Sequence, residues 1–232
     1  MNGVLVLVVA LLAGAIPFSG IAAWRLRRVD LRDYGSGTVS GSALYRIAGF
    51  GPMAAAGVLD VGKGTLGPLL AGSHRPELAA LAGGLAVVGH NWSPFLRGAG
   101  GRGFSVSLGV LLVLGWPGAV VLLGVFLIGL ALRQAGLGMF VAMLVLPPLL
   151  GALYGARGVW TGLALAVPMF AKRLAGNRAA PAPRARAYAT RLLFDHDPPT
   201  GAEPDVQSVP DPAFDGYRAS SIDPCECRGE PS

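Results

Sequence analysis

Uncharged apolar runs separated by short polar stretches organise the first 174 residues. Residues 1–24 carry no charge and are followed at once by Arg25, Arg27 and Arg28. A second run extends from about Ile47 to Ala71, interrupted by Asp60 and Lys63, and a third covers about Leu78 to Leu96. The uncharged interval from Gly103 to Leu132 follows, with Gly115-Trp-Pro-Gly118 near its centre, and two further runs cover about Leu137 to Tyr154 and Val159 to Leu174. A bilayer core about 30 Å thick takes roughly 20 apolar helical residues. Backbone in lipid must also satisfy its hydrogen bonds within its own segment, so the runs predict membrane-spanning helices.

Composition agrees with this pattern. Hydrophobic residues make up 53% of the 232, charged residues only 14%, and mean hydropathy is +0.55. A soluble domain carries about a quarter charged residues, which argues against a water-soluble globule.

The distribution of Arg and Lys sets the number and direction of the spans. Split at Gly115–Gly118, the long interval gives seven spans, and fourteen basic residues then fall on one side against two, Arg75 and Arg157, on the other. Read as one helix, it gives six spans and an even division. The positive-inside rule selects seven. The expected fold is an all-α polytopic membrane protein with the N-terminus outside and the C-terminus cytoplasmic. The first run is read as a retained span because its positive residues follow the apolar stretch, whereas a secretory signal carries them before it.

A second segment is expected from residue 175 to 232, where six basic and nine acidic residues alternate with Asp-Pro or Glu-Pro pairs at 197, 203, 211 and 223. Few large apolar residues occur there, which predicts a disordered cytoplasmic tail. The division is thus 1–174, transmembrane, and 175–232, tail. Cys225 and Cys227 form a lone C-x-C without a second pair or a neighbouring His, too little for structural zinc, and no metal or cofactor is expected.

Two loops on the cytoplasmic side are rich in both glycine and arginine. One runs from Asp30 to Arg46 and contains Gly35-Ser-Gly-Thr38 and Ser42; the other reads Arg97-Gly-Ala-Gly-Gly-Arg-Gly103. Glycine lets backbone N–H groups approach an anion, and arginine adds charge and paired donors, so the loops have the chemistry of a phosphate cradle. Short membrane loops are also Gly- and Arg-rich for turning and topology alone. Asp60 and Lys63 share one face of an apolar span, where a lone charge is expensive, so they pair or line a polar cavity. His90 ends the third span as a candidate base or phosphate donor, or as an interfacial side chain beside Trp92.

Five blocks in order carry a family resemblance: Gly14-Ala-Ile-Pro-Phe18; Asp30-Leu-Arg-x-x-Gly-Ser-Gly37 with Arg46; Leu59-Asp60-x-x-Lys63-Gly64; Gly89-His90-x-x-x-Pro-Phe-Leu96; and Gly100-Gly-Arg-Gly103. Across roughly residues 10 to 175 the chain resembles the bacterial membrane-bound glycerol-3-phosphate acyltransferases that use acyl phosphate. The resemblance implies seven helices, motif loops on the cytoplasmic side, and location in the bacterial plasma membrane. It also implies transfer of a fatty acyl group from acyl phosphate to the 1-hydroxyl of sn-glycerol 3-phosphate, giving lysophosphatidate without metal or coenzyme A.

Carried over by position, the resemblance assigns phosphate binding to Gly35, Ser36, Gly37, Thr38, Ser42, Arg46, Gly100, Gly101, Arg102, Gly103 and Arg133. It places Asp60, Lys63 and His90 among the catalytic residues. The implied partners are the two phosphorylated substrates and membrane lipids, not nucleic acid.

Departures from the family pattern are several. Thr38 and Ala43 stand where the family has asparagines, Ala99 and Arg102 stand for its two loop lysines, and Arg133-Gln-Ala-Gly-Leu137 lacks its Tyr and Ser. Ala166-Val-Pro-Met-Phe-Ala171 replaces a segment that carries His and Asn. Lost donors weaken phosphate binding, which leaves open a catalytically impaired descendant or an enzyme for a different polyol phosphate. A transporter ranks below both, since no inverted repeat is evident. On a straight helix begun at Ile47, Asp60 would lie about 20 Å from the cytoplasmic end. Either that helix begins later, Gly51-Pro52 bends it, or Asp60 is structural.

Overall fold

The computed structural model describes residues 2–179 and 184–195. Ten α-helices account for most of them: α1 Gly3–Ala15, α2 Phe18–Arg27, α3 Gly41–Ala48, α4 Phe50–Ala71, α5 Pro76–Asn91, α6 Phe104–Leu114, α7 Trp116–Ala131, α8 Ala135–Tyr154, α9 Ala156–Ala175 and α10 Arg184–Phe194. No strand occurs among the described residues.

Main chains meet at the helix crossings because one partner lacks a side chain. A Cβ on Gly14 would strike the backbone of Ala86, one on Gly89 the carbonyl of Leu11, and Gly3 faces Leu78. Helices α1 and α5 therefore lie side by side with the same polarity. Gly64 abuts the Val106 carbonyl while Gly109 abuts that of Val61, the same reciprocal contact; both α4 and α6 run opposite to α5, so they lie parallel to each other. Gly158 on Leu150 and Gly162 on Pro147 set an α8–α9 hairpin in the same way. Close crossings at small residues are the usual way membrane helices gain packing where lipid supplies no hydrophobic drive.

Joined end to end, α1–α2, α4, α5, α6, α7, α8 and α9 pack with alternating direction. The split expected within 103–132 falls at Gly115, between α6 and α7. By length and composition, Gly3–Arg27 and Ala135–Tyr154 can each cross a membrane, and α6 and α7 are shorter apolar helices. Large apolar side chains face outward along these segments, among them Val4, Val8, Leu12, Val120, Leu127 and Leu144. The buried core centres on Val87, Val110, Leu111, Leu146 and Leu165.

Three features depart from the sequence reading. The Asp30–Arg46 stretch is not all loop: it holds a short 3-10 turn, Leu31–Asp33, and the amphipathic α3, capped by Ser40 and burying Leu44. Helix α4 starts at Phe50, after Gly49 breaks the chain at φ 81°, later than Ile47, which shortens the distance from the helix start to Asp60 without removing it. Packed structure also runs past the boundary expected at residue 174. Helix α10 contacts α8 and α9, and the Arg191 guanidinium donates to the carbonyls of Leu174, Ala175, Arg178 and Ala179. The first two are last-turn carbonyls of α9 and the other two belong to the segment that follows it, and an arginine fork is well suited to such acceptors. The rest of the expected tail, 196–232 with Cys225 and Cys227, lies outside the described residues.

Candidate active site

Two glycine-rich segments meet at the ends of α1, α5 and α9. The first connects α2 to α3, the second α5 to α6. Val39 N–H donates to the Gly100 carbonyl at 3.1 Å, and the Arg32 guanidinium donates to the Leu96 carbonyl at 3.4 Å. Arg32 is held by the Asp30 carboxylate, 3.0 Å from its Nε. That hydrogen bond lowers the Asp30 pKa below the ordinary carboxylate range against a smaller opposing effect of burial.

The second loop folds against its own helix end. Gly101 N–H donates to the His90 carbonyl, and Ser93 and Ala99 close a turn between them. A Cβ at Gly100 would strike the carbonyls of His90 and Asn91, and one at Gly101 would strike the His90 ring. Glycine is therefore required here by close approach. Ser93 Oγ also donates to the Ala15 carbonyl at 2.6 Å, fixing the loop to the end of α1.

Asp60 and Lys63 reach this level from α4. Lys63 Nζ lies 2.7 Å from Asp60 Oδ1 and donates to the Ile16 carbonyl at 2.6 Å, where Pro17 interrupts the first span. The ammonium is also 5.5 Å from the Phe18 ring centre. Asp60 is about 15 Å from the start of α4 at 1.5 Å per residue. The loops reach it because α6 starts at Phe104, beside Gly64. The 92–103 connection dips towards the middle of α4, and His90 lies within electrostatic reach of both Lys63 and Lys172.

Ser36 and Thr38 hydroxyls are 2.9 Å apart, and Gly35 and Gly37 have φ 50° and 69°, backbone that favours glycine. Arg102 is committed: its Nη1 donates to the Lys172 carbonyl at 3.0 Å and its Nε lies 2.9 Å from Asp195. Gly103 starts α6 in left-handed backbone, packed on Val87 and Asn91. Ser42 bonds to Ser40 and is exposed. Arg46, on the outer part of α3, and Arg133, in the α7–α8 turn, are exposed. No hydrogen bond or ion pair among the described residues joins the side chain of either to the cluster.

Two residues of the cluster escaped the sequence reading. Asn177 Nδ2 donates to the Gly100 carbonyl at 3.0 Å and to Thr38 Oγ1 at 3.3 Å, while its Oδ1 accepts from Gly100 N–H at 3.3 Å. It thus links both loops. Lys172, read in the sequence as a topological charge and as the start of the retained family block Lys172-Arg-Leu-Ala-Gly176 but not as a site residue, is buried with its Nζ at the Gly98 carbonyl. No group of three or more His, Cys, Asp or Glu side chains suited to a metal occurs among the described residues. Chemically, the cluster gathers ammonium, guanidinium, imidazole, hydroxyl and backbone N–H donors, a set suited to phosphate.

Comparison with known proteins gives the same direction. The family described as Glycerol-3-phosphate acyltransferase matches residues 4–177. Glycerol-3-phosphate acyltransferase 4 of Dehalococcoides mccartyi is 35% identical over 199 residues, covering 80% of this chain and 85% of the relative. Glycerol-3-phosphate acyltransferase of Synechococcus sp. is 36% identical over 153 residues, covering 65% and 76%. Among solved structures, the glycerol 3-phosphate form of PlsY (YgiH), an integral membrane glycerol 3-phosphate acyltransferase, superposes with a TM-score of 0.66. It is 25% identical, covering 86% of this chain and 96% of that one.

Proposed function

The chain belongs to the glycerol-3-phosphate acyltransferase family, and we propose that it transfers a fatty acyl group from acyl phosphate to the 1-hydroxyl of sn-glycerol 3-phosphate. The products are lysophosphatidate, for phospholipid synthesis, and inorganic phosphate. The observation that carries this reading is the joining of two glycine loops through Val39 and Gly100 beside a cluster of buried and half-buried cations. Two phosphorylated substrates repel each other, and fixed positive charge with oriented N–H groups offsets that repulsion and stabilises the leaving phosphate.

In this mechanism the glycerol hydroxyl attacks the acyl carbonyl carbon, the carbon–oxygen bond to phosphate breaks, and phosphate leaves. His90 takes the hydroxyl proton. Gly35, Ser36, Gly37, Thr38, Ser42 and Arg46 hold one phosphate, and Gly100, Gly101 and Gly103 the other, joined by Arg102 only when it leaves Asp195, with Arg133 adding charge from the rim. Lys63, whose donors serve Asp60 and Ile16, acts with Asp60 by fixing the site's field and shape.

The protein is read as a multi-pass protein of the bacterial plasma membrane, with seven spans, its N-terminus outside and its C-terminus in the cytoplasm. One observation favours a second reading, an impaired descendant that binds a lipid precursor without turnover: the Arg102 side chain is held by Asp195. The deciding experiment supplies membranes containing the protein with a long-chain acyl phosphate and radiolabelled sn-glycerol 3-phosphate. Labelled lysophosphatidate above an Arg46→Ala control supports the enzyme; its absence from correctly inserted protein favours the descendant.

A further inference from the structure

Lys172 is 1% exposed, the largest fully buried side chain described. A buried ammonium needs a counter-charge and partners for three donors, because leaving it unpaired is strongly unfavourable. The partners here are weak. Nζ donates to the Gly98 carbonyl at a long 3.3 Å and lies 5.3 Å from the Trp92 ring centre. Among the described residues no carboxylate forms an ion pair with it. Its charged neighbour adds to the deficit: the Arg102 guanidinium donates to the Lys172 carbonyl and repels its ammonium. The carboxylates of the cluster are engaged elsewhere, Asp60 by Lys63 and Asp195 by Arg102.

The second glycine loop thus has its own arginine turned towards Asp195, while an ammonium from α9 reaches it at Gly98. We propose that Lys172 is a further substrate-binding residue, supplying the positive charge that holds a phosphate group at the Gly98–Gly103 loop. This inference rests on the acyltransferase reading given above. The ligand chemistry is a phosphate dianion, carried by the acyl donor or by glycerol 3-phosphate. Its oxygens replace the Gly98 carbonyl as the acceptor for Nζ, a charge-assisted bond in place of a neutral one.

The test uses the full-length protein in lipid nanodiscs, comparing wild type with Lys172→Met, which keeps the length of the buried chain, and Lys172→Arg, which keeps the charge. The expected result is a KM for one phosphorylated substrate raised about tenfold or more in the Met variant, with partial recovery in the Arg variant. The substrate whose KM moves identifies which phosphate Lys172 holds. In parallel, inorganic phosphate raises the melting midpoint of the wild type and not of Lys172→Met. Unchanged KM values and an unchanged phosphate-dependent shift in a folded Met variant overturn the proposal. If the wild type transfers no acyl group, the acyltransferase reading fails, and the phosphate-dependent shift alone then decides the role of Lys172: lost in the Met variant, it stands; retained, it falls.

Discussion

Lys63 Nζ joins Asp60 Oδ1, 2.7 Å away, to the carbonyl of Ile16 at 2.6 Å. One ammonium thereby neutralises a carboxylate in an apolar span and satisfies an acceptor left where Pro17 ends α1. Removing a single partner from a buried pair strands the other charge, at a cost of about 3–5 kcal/mol. Lys63→Met is expected to destabilise the protein by about that amount, and adding Asp60→Asn to recover part of the loss. Melting midpoints in detergent for both single variants and the double variant measure the coupling; strictly additive losses would contradict it.

The helix crossings allow a sharper comparison. Gly109→Val drives a side chain into the Val61 carbonyl, whereas Gly57→Ala adds a methyl in open space. Overpacking of this kind costs about 1–3 kcal/mol, so the first variant should melt well below wild type and the second within about 0.5 kcal/mol of it. Equal behaviour of the two would remove backbone contact as the basis of the α4–α6 packing.

The proposed seven-span topology puts Ser73 and Arg97 on opposite sides of the membrane. With Cys225 and Cys227 changed to serine, Ser73→Cys should react with an impermeant maleimide in intact cells, and Arg97→Cys only after lysis. Labelling of both from outside would refute the topology.

Much of the architecture was legible from uncharged runs, since lipid forces charge to their ends, but the α6–α7 break at Gly115 and the side shared by both loops needed the distribution of Arg and Lys as well, because the uncharged 103–132 interval alone allowed one helix or two. The interior of the 30–46 segment was harder to read, because α3 is only eight residues long and its glycine- and serine-rich lead resembles a turn. His90, Asp60 and Lys63 stood out as charge or imidazole in apolar surroundings, and the structure brings them to the loops. Asn177 carried no such signal. A single amide in polar sequence becomes informative only once α9 delivers it to Gly100 and Thr38. Arg191 was hidden in the same way, since its acceptors are backbone carbonyls with no sequence signature.

Asn177→Ala removes three hydrogen bonds that join the loops. At about 1 kcal/mol for each such bond, the KM for a phosphorylated substrate should rise at least tenfold, with a smaller effect on kcat. Ending the chain after Asp195 is expected to leave activity intact, whereas ending it after Gly176 should match or exceed the Asn177→Ala defect. Full activity in the shorter truncation would show that the amide has no positioning role.

Acid should loosen the first loop through Asp30. Its carboxyl is held below the ordinary range chiefly by the Arg32 hydrogen bond, so the stabilisation is complete above the ordinary carboxylate pKa and lost as pH falls through the lowered value. The pair is partly exposed, which limits it to about 1 kcal/mol or less. Proteolysis of the 28–40 segment should accelerate at acidic pH in wild type and be fast and nearly independent of pH in Asp30→Asn. An unchanged acid profile in that variant would exclude Asp30 as the titrating group.

The amide of Asn177 reaches back 139 residues to Thr38, and Arg178 reaches back 146 to the Arg32 carbonyl. During synthesis the chain emerges from the first residue onward, so the earliest loop waits, without its final contacts, until the ninth helix has left the ribosome. Partly synthesised intermediates therefore present an open, incompletely stitched loop, and a chain that stops short of Asn177 lacks the amide that joins the two loops. Quality control of nascent membrane chains, which senses unpaired polar groups, has a long interval in which to act on this one.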